Sequence, residues 1–380
     1  MKSKIRVGVI FGGRSGEHEV SLVSASSIIK ALDKNKYDVT LIGVTKDGKW
    51  LSSSETLKLF KNNNIELDLM NEKYLLPDPE KKGLFSISDS SVGIQKLDVI
   101  FPVLHGTYGE DGTIQGLLEL ANIAYVGAGV LASAVGMDKV IQKKIFLQEG
   151  LPVADFIYFT RENFESDIDG WVEKIEAKLG YPNFVKPANS GSSVGINKAH
   201  NIDELLNSIK EAFIYDRKVL VERSIENARE IECAVLGGDF PEVSIPGEII
   251  SSNEFYDYDA KYVDGKSEAI IPAQISDTIA NEIRHLAKEA FMSIDCYGMA
   301  RVDFFLSRED NKIYLNEINT IPGFTKISMF PKLWEATGIG YSELIDKLIY
   351  LALNKHKEKT SLKTTYNPKK DWYKNGENNC

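Results

Sequence analysis

Paired cysteines are missing from this chain. Cys233, Cys296 and Cys380 are odd in number and far apart, and no CxxC occurs, so neither a disulfide framework nor a zinc site is indicated. The first two are expected in cores and the last in a polar tail. A basic excess is missing as well: Lys and Arg total 45 against 55 Asp and Glu, for a formal net charge of −10 and a pI near 5.2. A general nucleic-acid binder is thereby excluded, because its footprint is a basic face. Any phosphate must be held locally. No apolar run approaches the roughly 18 residues of a membrane span, and MKSKIRVGVIFGG reads as a first strand entering a glycine turn rather than a cleavable signal. A cytoplasmic protein without membrane or nucleic-acid partners is expected. The pattern GxxxxGK[ST] is absent, and so are internal repeats and Gly/Ser linkers. What is present is a globular chain of 380 residues, 43% hydrophobic, long enough for two or three domains packed around a shared site.

The opening alternates strand and helix signals. Ile5 to Phe11 is apolar, Ser21 to Leu32 has helical spacing, and Val39 to Val44 is apolar again, a βαβ beginning. Residues 51–95 read as irregular and polar, with short strands at Tyr74–Leu76 and Leu84–Ile87. An apolar strand from Leu97 to Leu104 ends in HGTYGEDG, followed by a helix from Thr113 to Leu120. Ligands gather at the carboxyl ends of strands in an open parallel sheet, so GGRSGEHE and HGTYGEDG are expected to share one cleft. A second unit from about Gly127 holds helices at Met137–Glu149, Trp171–Leu179 and Ile202–Phe213, and the strand KVLVERSI. A third, from about residue 226, has long strands, an aromatic loop at Ser251–Ser267, a helix at Asp277–Ser293 and a late hairpin. A last helix spans Tyr341–Leu353, and residues 356–380, poor in aliphatics, are expected to be disordered.

That hairpin, RVDFFL and then KIYLNEINTIPG, carries the most chemistry. Strand side chains alternate faces, so Arg301 and Asp303 share one side, as do Glu317 and Asn319 on the next strand. Two carboxylates and an amide oxygen suit a hard cation such as Mg²⁺, and Arg301 adds a planar fork for an oxyanion. Taken alone, such pairs also read as solvated strand faces. In FVKPANSGSSVGI a strand delivers Lys186 into a turn with hydroxyls at Ser192 and Ser193 and wrapping N–H groups, a phosphate cradle without a Walker motif. VLVERSI places Glu222 and Ile225 at a strand exit, with Glu230 beyond, where an adenine edge and ribose hydroxyls could be read.

These segments resemble, in order and spacing, the ATP-grasp superfamily and within it the D-alanine–D-alanine ligases. The motifs are GGRSGEHEVS, LHGTYGEDGTIQGLLEL, SAVGMDK, VKPANSGSSVGI, FYDYDAKY, RVDFF and NEINTIPGF, and they cover residues 5 to about 353. The resemblance implies an α/β, three-domain ATP-grasp fold. An N-terminal domain with an open parallel sheet (1–127) would precede a central subdomain (128–225) and a C-terminal subdomain with metal site and lid (226–355), before the tail 356–380. It implies ATP as substrate, two Mg²⁺ or Mn²⁺ ions, and a homodimer through the N-terminal unit. By position, Glu17 would meet the ammonium of the first D-alanine with His105 nearby. Lys139 and Lys186 would meet the ATP phosphates, Glu222 and Ile225 the adenine region and Glu230 the ribose, with Ser193 in the phosphate turn. Lys261 would reach the γ-phosphate, and Ser192 and Tyr262 would form a latch with Glu17. Asp303, Glu317 and Asn319 would hold the metals. Arg301 and Gly323 would form an oxyanion site, and Ser328 and Met329 the wall around the second D-alanine.

The activity so implied is ATP-dependent ligation of two D-alanines through an acyl phosphate, for peptidoglycan precursors. Phosphoryl transfer needs charge neutralised rather than a protein nucleophile, which suits a set of lysines, arginine and carboxylates. AKY, ending in Tyr262, fits dipeptide-forming enzymes rather than D-lactate ligases and discriminates less against D-serine ligases. A carboxylase or kinase of the same fold would lack GEHEVS and FYDYDAKY. A non-catalytic ATP-binding regulator would be expected to have lost a metal ligand or Arg301.

Overall fold

The computed structural model describes residues 3–62, 72–88, 91–250 and 268–367. At the N-terminus, β1 (Ile5–Gly12), β2 (Tyr37–Val44), β3 (Trp50–Leu51), β7 (Val99–Val103) and β8 (Ala124–Tyr125) form one sheet in the order β3-β2-β1-β7-β8. The pairs β1–β2, β1–β7 and β7–β8 are parallel, and only the edge strand β3 runs antiparallel. Val7, Val9 and Phe11 enter one core and Ile10 another, so β1 is covered on both faces, which is why it reads as a continuous apolar run. Helix α1 (His18–Ala31) covers the first face through Leu22, Ala25 and Ile28. Both short strands expected within residues 51–95 are present, as β4 (Tyr74–Leu75) and β5 (Gly83–Ser88), in a small antiparallel sheet with β6 (Ser91–Lys96), and α2 (Thr56–Lys61) precedes them. Leu75 and Leu84 pack with Ile114 and Leu118 of α3 (Thr113–Leu120) against the second face.

The helix expected at Met137–Glu149 is α5 (Lys139–Gln148), and a further helix, α4 (Val130–Met137), precedes it. They part at Asp138, whose extended backbone lets Oδ1 accept the N–H groups of Val140 and Ile141, each at 3.1 Å. A second sheet, all antiparallel, has the order β11-β10-β12-β9, from β9 (Phe156–Thr160), β10 (Asn183–Pro187), β11 (Asn197–Ala199) and β12 (Lys218–Arg223). Between these strands run α6 (Arg161–Ser166), α7 (Ile168–Lys178) and α8 (Ile202–Tyr215), of which α7 and α8 cover the sheet through Ile175, Leu205 and Ile209.

The third sheet takes the order β16-β15-β13-β17-β18, from β13 (Ala228–Gly237), β15 (Gly247–Ile250), β16 (Glu268–Ile270), β17 (Gly298–Ser307) and β18 (Ile313–Asn319), with β14 (Glu242–Val243) paired to β13. Helix α9 (Asp277–Ser293) packs Ile283, Ala287 and Phe291 on Cys233, Val235 and Val302, so Cys233 and also Cys296 are core residues, as expected. Burial alternates along β17, which leaves Arg301 and Asp303 on the open face. Helices α10 (Met329–Thr337) and α11 (Tyr341–Ser361) join the N-terminal core through Trp334, Leu344 and Leu348.

The last helix therefore runs past Leu353, and the disordered tail expected from residue 356 does not begin there. Lys355 lies 4.6 Å from the Tyr297 ring centre and Lys359 pairs with Glu119 at 2.6 Å, giving the extra turns partners on the body of the protein. Residues 362–367 have no helix or strand, and 368–380 lie outside the described residues.

Candidate active site

Two adjoining cavities open where α1 and the loop after β7 meet the second and third sheets. The larger, about 850 Å³, is lined by Glu17, His105, Lys139, Ser192, Asn319, Gly323, Ser328 and Met329. The smaller, about 460 Å³, is lined by Lys186, Glu222, Ile225, Glu230 and Asp303. Ser193, Ile196, Glu232, Arg301 and Glu317 line both, and so form the partition between them. The residues expected from the first, second and third units thus converge on one cleft. Lys261 and Tyr262 lie outside the described residues.

In the larger cavity Glu17 is buried at the start of α1, and the Ser192 hydroxyl donates to its Oε1. Backbone geometry makes this possible. A Cβ added to Gly106 would lie 2.7 Å from Glu17 Oε2 and one on Gly191 2.5 Å from it, so only glycine leaves room for the carboxylate. Ser192 and Ser193 both have positive φ, 47° and 60°, so the chain turns tightly here in the left-handed region. His105 is buried behind Glu17, with Nδ1 3.5 Å from Glu110 Oε1 and Nε2 3.3 Å from the Ser24 hydroxyl. Burial pushes the imidazole pKa down, but Glu110 overrides it and the net direction is up. Burial raises the Glu110 carboxyl, with the Glu17 charge adding to it, so the His105–Glu110 pair favours keeping a proton. Ser24 Oγ also accepts the Phe324 N–H at 3.5 Å, linking α1 to the turn that carries Gly323. At the far wall Ser328 Oγ accepts the Thr325 N–H at 3.1 Å beside the start of α10.

The late hairpin has the alternation expected of it. In the β17–β18 ladder Arg301 stands opposite Asn319 and Asp303 opposite Glu317. Arg301 donates to both oxygens of Asp303, Nε at 2.8 Å and a terminal nitrogen at 2.7 Å, and its Nε lies 3.1 Å from Glu232. Asn319 Oδ1 accepts the Ile321 N–H at 3.2 Å. The donors are hard oxygens, which fits Mg²⁺ chemistry, with Arg301 now occupying the Asp303 carboxylate. Among the described residues no group of three or more His, Cys, Asp and Glu is arranged to hold a metal ion.

Sequence reasoning missed three residues here. Glu232 is opposite Asp303 across β13 and β17, and its two-residue spacing from Glu230 was the available signal. Lys143, one helical turn after Lys139, is 1% exposed at its side chain and pairs with Glu222 at 2.5 Å, where Lys186 also binds at 2.7 Å. Asn316 sits at a register break in the ladder after Asp303, so it faces the site together with Glu317 instead of alternating. Its Oδ1 accepts from Lys186 at 3.4 Å and its carbonyl from Lys143 at 2.9 Å. Both lysines oppose the cost of burying Glu222, and its carboxyl pKa is lowered overall. Lys139 donates to the Ser190 carbonyl at 2.7 Å and lies 3.4 Å from Glu317.

Residues 6–128 match the family described as D-ala D-ala ligase N-terminus, and residues 145–350 that described as D-ala D-ala ligase C-terminus. A D-alanine--D-alanine ligase of Caldicellulosiruptor bescii is 52% identical over 361 residues, covering 95% of this chain and 98% of the relative. One from Thermoanaerobacter pseudethanolicus is 53% identical over 363 residues, 94% and 98% of the two chains. Among solved structures, the VanG D-Ala:D-Ser ligase from Enterococcus faecalis superposes with a TM-score of 0.82 at 39% identity, covering 92% of this chain and all (100%) of that one. The D-alanine-D-alanine ligase from Coxiella burnetii gives 0.80 at 36% identity over 94% and 98%.

Proposed function

This chain belongs to the D-alanine–D-alanine ligase family, and from that premise we propose how its cleft joins two D-alanines at the expense of ATP. The enzyme is an ATP-dependent ligase whose dipeptide product serves peptidoglycan precursor synthesis. The observation that supports the division of labour is the partition: one wall, with Arg301 and Glu317 at its centre, faces both cavities. A phosphoryl group could cross from a nucleotide in the smaller cavity to an amino acid in the larger without either ligand leaving its place.

A carboxylate is a poor electrophile, so the first D-alanine is activated by transfer of the ATP γ-phosphoryl to its carboxyl oxygen, releasing ADP. The amine of the second D-alanine then attacks the acyl carbon. A C–N bond forms, the C–O bond to phosphate breaks, and the amine loses a proton. Lys139 and Lys186, with the Ser193 turn, hold the phosphates, while the Glu222–Ile225 strand exit and Glu230 receive the nucleoside. Glu17, hydrogen-bonded to Ser192 and backed by His105, takes the first ammonium. Arg301 and the Gly323 N–H stabilise the oxyanion of the tetrahedral intermediate, where one preorganised donor is typically worth about 3 kcal/mol. Ser328 and Met329 wall the second amino acid. Lys261 and Tyr262 are assigned to the γ-phosphate and the latch by motif position alone. Asp303, Glu317 and Asn319 would hold Mg²⁺ or Mn²⁺, two ions by family resemblance, which neutralises phosphate charge when bound.

Three units bounded near residues 127 and 225 are supported by the three larger sheets, which share no strand, with the small β4-β5-β6 sheet falling inside the first unit. Among the described residues no helix is long and apolar enough to cross a membrane, which is consistent with a cytoplasmic site of action. A homodimer through the N-terminal unit is proposed on the resemblance, and light scattering after gel filtration tests it.

Phosphate release in the presence of ATP, Mg²⁺ and D-alanine, measured alongside dipeptide, tests the function. Stoichiometric release is expected with D- but not L-alanine, and equal turnover of both removes the stereospecific reading. Competition among D-alanine, D-serine and D-lactate as acceptors should favour D-alanine.

A further inference from the structure

Three buried groups, Lys143, Glu222 and Lys186, form a closed square with the half-buried Asn316. Glu222 accepts a hydrogen bond from Lys186 at 2.7 Å and forms an ion pair with Lys143 at 2.5 Å, and Asn316 accepts from both, from Lys143 at its carbonyl (2.9 Å) and from Lys186 at its amide oxygen (3.4 Å). Lys143 lines neither cavity, whereas Lys186 and Glu222 line the smaller one. Two cations therefore share one anion, and only one of them faces the cleft.

We infer that Lys143 is a positioning residue for nucleotide binding, which neutralises Glu222 from behind and so leaves the charge of Lys186 available to phosphate. The inference rests on the ATP site proposed above. Without Lys143 the buried Glu222–Lys186 pair is neutral, and Lys186 is held back by its partner. With it the group keeps one net positive charge in a place where low polarity makes each charge count. The Asn316 bulge gives the arrangement its shape, since a regular strand would turn that side chain toward the core.

The test compares wild type, Lys143→Met and Lys143→Arg. The readouts are the Kd of a non-hydrolysable ATP analogue and of adenosine by calorimetry, and KM for ATP and for D-alanine. For Lys143→Met, a rise of about tenfold or more in the Kd of the ATP analogue is expected, with the Kd of adenosine and KM for D-alanine within about threefold of wild type, because a buried carboxylate has lost one of two partners and draws on the lysine that meets phosphate. Lys143→Arg keeps the balance of charge and should stay within about threefold of wild type on every readout. A merely structural lysine predicts equal losses for adenosine and for the ATP analogue: that result, a Lys143→Met enzyme with unaltered Kd, or a Lys143→Arg enzyme as weak as Lys143→Met overturns the inference. If Lys143→Met does not fold, Lys143→Arg decides alone, and a loss of about tenfold there refutes the idea. Wild-type enzyme that binds no nucleotide would instead overturn the ATP site itself.

Discussion

At the scale of single residues, the site depends as much on absent atoms as on functional groups. Glu17 keeps its place because Gly106 and Gly191 carry no side chain. Gly191→Ala should displace the carboxylate, and a misplacement of about 1 Å can cost on the order of 100-fold in rate. Steady-state kinetics should show that loss together with a raised KM for D-alanine and little change in KM for ATP. Glu317→Gln removes the carboxylate opposite Asp303 and beside Lys139. A fall of about 10²–10³ in kcat is expected, by analogy with loss of one charge-stabilising group, and the Mg²⁺ concentration for half-maximal rate should rise; dipeptide output unchanged on both counts would refute the role given to the hairpin. Period-two alternation was enough to place Arg301, Asp303, Glu317 and Asn319 together from sequence. Asn316 was illegible for the same reason, because a bulge breaks the rule that reveals its neighbours.

At the scale of elements, α5 does more than its sequence suggests. Lys139, Gln142 and Lys143 lie on its buried face, and Gln142 accepts the Ile318 N–H at 3.0 Å, so this one helix fixes β18 as well as Lys139. Its start is set by Asp138, whose other oxygen accepts from Lys218 of β12. Asp138→Ala should cost about 1 kcal/mol for the cap alone, read as a lower urea midpoint with an unchanged slope. The helix expected from Met137 starts just before this break, since a single extended residue leaves the apolar pattern nearly intact. The outer part of α11 was misread for a different cause: its stabilising partners, Tyr297 and Glu119, are remote in sequence, and local composition cannot report them.

For the molecule as a whole, the cleft is walled by α1 and the loop after β7 together with the second and third sheets, so a ligand there stabilises the three units together. A nucleotide at about 100 times its Kd should add about 2.7 kcal/mol, seen as one upward-shifted melting transition. Acid stability has a separate anchor in Arg6, which donates to both oxygens of Asp98 and joins β1 to the entry of β7. The Arg6 guanidinium holds the Asp98 carboxyl below its ordinary 3.8, so the contribution is complete above that pH and is lost as pH falls through the lower folded-state value. Asp98→Asn should therefore narrow the gap between urea midpoints at neutral pH and at pH values below about 3.8. The partition that includes Arg301, Glu317, Glu232, Ser193 and Ile196 has a chamber on either side. A two-headed inhibitor that straddles it with a short tether would turn its second contact into an intramolecular event, at millimolar effective concentration, and could outbind the sum of two separate weak compounds.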